Sequence, residues 1–234
     1  MKHPLILLHG ALGSEAQFYS ILTVLSVGFE VERFNFSGHH GKPFQAEFGI
    51  EQFTRELSEF IDENNFSDAY IFGYSMGGYV ALNYARQNPE KITKIFTLGT
   101  KIDWNPEFSA AQVKMMNPEK MEEKIPKYAA LLAETQAPND WKILVNKTAQ
   151  MMTELGNNPI PLAEFEKIEI PVMIALGDSD NLVTEEECKN LVSVLKKGVF
   201  RKIPNSKHPI EQIDEHLCLK ELTRFLDISK WPNP

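Results

Sequence analysis

The sequence predicts an α/β architecture, a mostly parallel sheet of about six strands flanked by helices and interrupted once by a helical insertion. Three observations carry this. Short apolar, branched runs alternate with stretches of helical periodicity over most of the chain. A serine framed by glycines sits where one such run gives way to a helical pattern, and between residues 100 and 167 the strand signal disappears.

The strand candidates are Pro4–Leu8, Phe29–Phe34, Ala69–Phe72, Ile92–Leu98, Pro171–Leu176 and Gly198–Ile203, each short and mostly closed by glycine or turn residues. Between them apolar residues recur at three and four, as in Phe53, Leu57, Phe60 and Ile61, or in Cys188, Leu191, Val192 and Leu195. Thr184 and Glu187 form a capping box for the second of these helices. A closing helix over Ile210–Leu226 is expected to cover one face of the sheet.

Residues 101–167 hold a single glycine, Gly156, and six of the 14 prolines. One amphipathic helix is expected through Met121, Ile125, Tyr128 and Leu132, and another through Trp141, Leu144, Val145, Thr148, Met152 and Leu155. The organisation predicted is a core made of residues 1–99 and 168–234, with residues 100–167 inserted as a helical module.

With 234 residues and 43% hydrophobic content the chain can bury a substantial single core. The 24 Lys and Arg stand against 32 Asp and Glu, giving a net charge of -8 with no long run of either sign. No nucleic-acid partner and no anionic membrane surface is expected from that balance. The longest uncharged stretch near the start, Ala16–Phe29, has 14 residues and is broken by polar ones, too little to span a bilayer. No export signal is read, so a cytoplasmic location is expected. Cys188 and Cys218 form no CxxC or Cys/His pattern and are read as buried free thiols rather than metal ligands.

Gly73-Tyr74-Ser75-Met76-Gly77 fits G-x-S-x-G, after the strand Ala69–Phe72 and before a helix over Met76–Gln87. With 13 Gly and 12 Ser, a shuffled chain would hold this pattern about 0.04 times, so chance is a poor explanation. The spacing has a physical cause. A hydroxyl at the tip of a tight strand-to-helix turn needs a backbone path that side chains two residues before or after would obstruct. The helix that starts there also aims its free N–H groups and positive dipole end at the same point, which favours a developing anion.

Leu8-His9-Gly10 after the first strand, Gly73 to Gly77, Gly177-Asp178-Ser179-Asp180 and His208 near the end together resemble the α/β-hydrolase superfamily over nearly the whole chain. The order Ser, acid, His is the one that fold imposes. The resemblance implies an esterase-like serine hydrolase, with residues 100–167 where the family carries its lid. The chain departs from the pattern in three places. It starts directly at the strand before His9-Gly10, so six strands are expected rather than eight. Asn35-Phe36-Ser37-Gly38-His39-His40-Gly41 stands for the more usual Asp-x-x-Gly-His-Gly turn. Tyr79 stands where the similar menaquinone-pathway lyases tend to carry Arg, which argues against a lyase.

Of the six histidines only His208 and His216 follow the acid region. His208 falls in a loop just beyond the last strand and is the candidate base. His216 lies inside the closing helix and is read as a surface or packing residue. The family's Gly-x-x-Asp spacing selects Asp180 as the carboxylate that orients the histidine, with Asp178 capping the turn and Asp103 a distant third candidate. The oxyanion hole is expected from the N–H groups of Ala11 and Met76, Leu12 being the alternative donor to Ala11. His9 is expected to brace its loop, and His39 and His40 to be turn residues rather than metal ligands.

A serine nucleophile implies acyl transfer to and from the enzyme, so the expected substrate is a small-molecule ester or thioester, with no cofactor. Two other readings remain beside it: a menaquinone-pathway-like lyase suggested by Leu12-Gly13-Ser14 and Tyr74, and a non-catalytic ligand-binding protein on the same fold. Five of the eight methionines lie in the insertion, with Trp104, Phe108, Tyr128 and Trp141, and no Arg. Such a surface suits a neutral, largely apolar acyl group of small to medium size. Leu12, Tyr74, Trp104, Tyr128 and Trp141 are the candidate substrate contacts.

Overall fold

Along β1 (His3–Leu8) the side chains of Leu5 and Leu7 join one apolar layer and those of Ile6 and Leu8 the other, and all four are fully buried. That period of two, apolar on both sides, marks a strand covered on both faces. In the computed structural model, which describes residues 2–227, β1 lies inside one sheet ordered β2-β1-β3-β4-β5-β6. The other strands are β2 (Phe29–Phe34), β3 (Ala69–Tyr74), β4 (Ile92–Leu98), β5 (Val172–Gly177) and β6 (Gly198–Ile203). Every neighbouring pair runs parallel. The edge strands are the polar ones: β2 carries Glu30, Glu32 and Arg33, and β6 carries Arg201 and Lys202, which blunts both edges against further pairing.

Parallel strands need crossovers, and helices supply them. α1 (Tyr19–Gly28) and α9 (Glu215–Phe225) cover one face, burying Ile21, Leu25, Leu219 and Leu222 against Leu5, Phe72 and Phe96. On the other face α2 (Ile50–Glu63), α3 (Met76–Gln87) and α8 (Glu185–Val194) pack Phe53, Leu57, Val80 and Leu191 against Ile6, Ile71, Ile95 and Ile174. β2 and β3 lie on opposite sides of β1, so the winding reverses there. A crevice opens beyond the carboxyl ends of β1 and β3 at this reversal, the usual place for a ligand in an open α/β sheet.

Four helices stand between β4 and β5: α4 (Pro106–Val113), α5 (Pro118–Lys124), α6 (Pro126–Gln136) and α7 (Trp141–Asn157). The helix expected to run through Met121 and Leu132 is thus two. Pro126 has no N–H and keeps Ile125 out of the helical region, at φ -136° and ψ 55°, so α5 stops and α6 restarts with the proline in its first turn. The closing helix is also shorter than expected. Ile210–Gln212 forms one turn of 3-10 helix, and α9 begins only after Asp214, whose side chain accepts the Leu217 N–H at 2.9 Å. A third apolar cluster joins Leu12, in the loop after β1, to Met121, Leu132, Trp141, Leu144 and Val145 of α5 to α7. No helix among the described residues is long and apolar enough to cross a membrane.

Candidate active site

Ser75 occupies the one-residue step between β3 and α3, with φ 50° and ψ -114°, a strained conformation for a residue with a side chain. Its neighbours explain how the strain is held. A Cβ on Gly77 would stand 2.2 Å from the Leu8 carbonyl oxygen of β1, and one on Gly73 would stand 2.5 Å from the Gly78 Cα, so both positions exclude any side chain. The Ser75 N–H donates to Leu98 O at 2.8 Å, and the Thr100 hydroxyl donates to Ser75 O at 3.2 Å, so the end of β4 clamps the turn from outside.

The Ser75 hydroxyl lies 3.2 Å from His208 Nε2, and His208 Nδ1 lies 2.8 Å from Asp180 Oδ2. His208 comes from the loop after β6 and Asp180 from the loop after β5. The Asp180 side chain is 1% exposed, and its other oxygen accepts the N–H groups of Leu182 and Val183 at 2.8 and 2.9 Å, which fixes the carboxylate plane. Asp178, two residues earlier, turns away: it accepts from the Ser206 N–H at 3.2 Å and the Ser179 hydroxyl at 3.1 Å. Backbone N–H groups, that of Asn205 foremost, hold its carboxyl below the usual carboxylate range. His216 is exposed in the first turn of α9, and Asp103 is exposed, its N–H pointing to Glu187.

The N–H groups of Ala11 and Met76 have no acceptor within the protein among the described residues, and both residues line the cavity that contains Ser75. Met76 opens α3, whose first N–H groups lack intrahelical partners. The loop that presents Ala11 is braced by His9. The Phe36 N–H donates to His9 Nε2 at 3.2 Å, so the ring proton sits on Nδ1 and is donated to Gly10 O at 2.8 Å. Burial, with His39 close by, lowers the His9 pKa well below the ordinary histidine value. His39 is likewise buried, and its pKa falls to about 4. His40 faces the insertion instead, its N–H donating to Gln136 Oε1 at 2.7 Å, while Gln136 Nε2 donates to Leu12 O at 3.0 Å. No group of three or more metal-ligating side chains stands together among the described residues. Cys188 and Cys218 are free and buried, and burial pushes both thiols up to about 12.

Two cavities meet at Ser75 and His208. The smaller, about 60 Å³, runs beneath α4 and α7 between Met76, Trp104, Phe108, Met152 and Leu182. The larger, about 510 Å³, is a groove along Leu12, Tyr74, Met116, Tyr128, Leu131 and Glu211. Of the expected substrate contacts, Trp104 reaches the first, and Leu12, Tyr74 and Tyr128 reach the second. Trp141 lines neither. It is 7% exposed and packed with Leu12 and Leu144 in the third apolar cluster, because α7 turns its first residue toward α5 and α6 rather than toward Ser75. The Tyr74 hydroxyl is also committed, donating to His208 O at 3.0 Å.

Sequence reasoning missed Thr100, which no motif marks, and Lys101. Lys101 lines the smaller cavity, and its ammonium stands over the Phe108 ring and pairs with Glu187 Oε2 at 2.6 Å. Glu187 was legible only as the capping-box residue of α8. It also accepts the Ile102 N–H at 2.9 Å, so one buried carboxylate joins the start of α8 to the segment after β4.

The chain resembles several known proteins. It is 27% identical over 142 residues to the sn-1-specific diacylglycerol lipase ABHD11 of Danio rerio, a stretch covering 57% of this chain and 44% of that protein. It is 35% identical over 102 residues to the pimeloyl-[acyl-carrier protein] methyl ester esterase of Aromatoleum aromaticum, covering 43% of this chain and 38% of that one. The chain thus matches less than half the length of either curated relative. Among solved structures, the α/β hydrolase MGS-M2 from a Medee basin deep-sea metagenome superposes with a TM-score of 0.82 at 16% identity, over 98% of this chain and 90% of that one. The enol-lactonase of Burkholderia xenovorans LB400 superposes with a TM-score of 0.75 at 18% identity, over 97% and 92%. A family model for the alpha/beta hydrolase fold matches residues 3–152, from β1 through the Ser75 turn and into α7, and the chain therefore belongs to the α/β-hydrolase fold family.

Proposed function

We propose that the protein is a serine hydrolase that cleaves a carboxylic ester or thioester through an acyl-enzyme. The observation that carries this reading is the unbroken chain of contacts from the Ser75 hydroxyl through His208 to Asp180, at 3.2 and 2.8 Å. Ser75 Oγ attacks the carbonyl carbon while His208 Nε2 takes its proton, and Asp180 holds the Nδ1 proton and stabilises the imidazolium. The oxyanion then accepts hydrogen bonds from the N–H groups of Ala11 and Met76, each worth about 3 kcal/mol in such a setting. Collapse expels the alkoxide or thiolate, which leaves with the proton from His208. Water repeats the sequence on the acyl-Ser75 ester.

The two cavities divide the substrate. The smaller one takes the acyl group, and the larger groove takes the leaving group. Residues 100–167 serve as a lid on the core of residues 1–99 and 168–234: α4 and α7 roof the acyl cavity, and α6 borders the groove. The one cation in the acyl cavity, Lys101, is already neutralised by Glu187, which favours a neutral acyl group. The esterase and lipase names of the curated relatives support a small-molecule ester substrate.

The test is labelling by a fluorophosphonate probe together with turnover of aryl esters. Wild type is expected to label and turn over, and Ser75→Ala and His208→Ala to do neither. Full ester turnover by Ser75→Ala would sink the mechanism.

A further inference from the structure

The acyl cavity ends at a wall one side chain thick. Ile50, Tyr79, Met151 and Leu155 line it from one side and line a second cavity, of about 460 Å³, from the other. All four are buried, between 2% and 7% exposed. Ile50 begins α2 and Tyr79 belongs to α3, while Met151 and Leu155 stand one turn apart on the same face of α7. The Tyr79 hydroxyl accepts the Ile160 N–H at 3.2 Å, so its ring is anchored. Met151 and Leu155 are held by packing alone, and methionine is the side chain that yields most readily.

A space of about 60 Å³ holds roughly four to six water-sized positions, enough for an acyl chain of about four carbons and no more. The second cavity is several times larger and opens past Glu47, Glu51 and Glu154. Arg55 pairs with Glu47 and Arg86 with Glu51, whereas Glu154 has no ion-pair partner among the described residues. Its mouth is therefore net acidic.

We infer that Met151 and Leu155 set the acyl-length limit of the site, and that the cavity behind them receives the far end of a longer acyl chain when this wall is thinned. The inference rests on the acyl-enzyme reading above. An aliphatic end fits the apolar side of that chamber, and a terminal carboxylate is repelled at its mouth by the Glu154 carboxylate, which no ion pair among the described residues neutralises.

The experiment is a chain-length series of p-nitrophenyl esters from acetyl to dodecanoyl, run on wild type, Leu155→Ala, Met151→Ala and the milder Leu155→Val. Folding is followed by circular dichroism. Wild type is expected to peak at acetyl or butyryl, with octanoyl at least ten-fold poorer in kcat/KM. Leu155→Ala and Met151→Ala are expected to raise the octanoyl-to-acetyl ratio about ten-fold, and Leu155→Val to raise it less. The ω-carboxylate analogue of the octanoyl ester should gain nothing. An unchanged ratio in folded variants that still cleave acetyl ester overturns the inference, and so does an equal gain with the ω-carboxylate. Failure of wild type to cleave any ester in the series falls instead on the proposed function. Should both alanine variants fail to fold, the ratio in Leu155→Val decides.

Discussion

The Tyr74 hydroxyl donates to the main-chain oxygen of His208 at 3.0 Å, so the residue just before the candidate nucleophile holds the loop that carries the candidate base. Strand β3 thereby fixes both partners of the Ser75–His208 contact from one backbone segment. Burial raises the Tyr74 pKa above its ordinary value, so the donor keeps its proton through neutral and moderately alkaline pH.

Tyr74→Phe removes this bond and little else, because the ring still lines the groove. Losing a partly buried hydrogen bond of this kind costs about 1 kcal/mol, and the histidine loop loses its fixed position. We expect kcat to fall about ten-fold with KM nearly unchanged, while Ser75 still labels with a fluorophosphonate. Steady-state kinetics of the folded variant check this, and wild-type kcat would remove any positioning role for the hydroxyl.

Asp180→Asn is expected to cost ester turnover far more than Asp178→Asn. Asp180 alone faces His208 Nδ1, and an amide there permits the wrong tautomer; such changes cost on the order of 10⁴ in kcat in a comparable triad. Asp178 accepts from Ser206 and Ser179 in its own turn, so its amide should change turnover by a few-fold at most. The opposite ranking in kcat would transfer the role to Asp178.

Acid should unfold the protein through His9 and His39. Both are fully buried, their ring centroids are 4.8 Å apart, and burial lowers both pKa values, that of His39 to about 4. In the unfolded chain both titrate near 6.5. Between pH 6.5 and about 4 the unfolded state binds protons that the folded state does not, so stability rises with pH across that window. It is complete above pH 6.5 and lost on descent, by on the order of 2 kcal/mol from His39 alone at pH 5. Urea midpoints measured from pH 7.5 to pH 5 should fall, and His39→Phe should flatten the fall. A midpoint constant over that range would contradict neutral buried histidines.

Trp104 and Trp141 should separate cleanly. Trp141 fills the cluster between α5, α6 and α7, and Trp141→Ala is expected to destabilise by about 3–5 kcal/mol with modest effect on the kinetics of the folded fraction. Trp104 lines the acyl cavity and is only partly buried, so Trp104→Ala should change the acyl-chain preference more than the stability. Thermal unfolding and a chain-length series on both variants decide, and a larger specificity change in Trp141→Ala would contradict this division.

The alternating strands and helices were legible because each is a local pattern. The unbroken apolar run Leu5 to Leu8, and the three-four spacing of Phe53, Leu57 and Ile61, need no knowledge of the partner they pack on. The breaks were less legible. Pro126 and Asp214 each start a new helix inside a stretch whose apolar spacing runs through them, and periodicity alone does not register a missing N–H or a cap.

By itself the sequence determined the sheet-and-helix order and the turn at Ser75, since Gly73 and Gly77 act on atoms only a few bonds or one strand away. Only the tertiary structure decided which side of each residue faces the crevice. It brought Asp180 to His208 across 28 positions while turning Asp178 aside, carried Lys101 to Glu187 across 86, and sent Trp141 into the insertion rather than toward Ser75. The wall of Met151 and Leu155 exists only because the fold sets these residues of α7 beside Ile50 of α2 and Tyr79 of α3. Such relationships arise from how whole elements pack, which depends on the sum of many contacts between distant segments, and no short window of residues contains that sum.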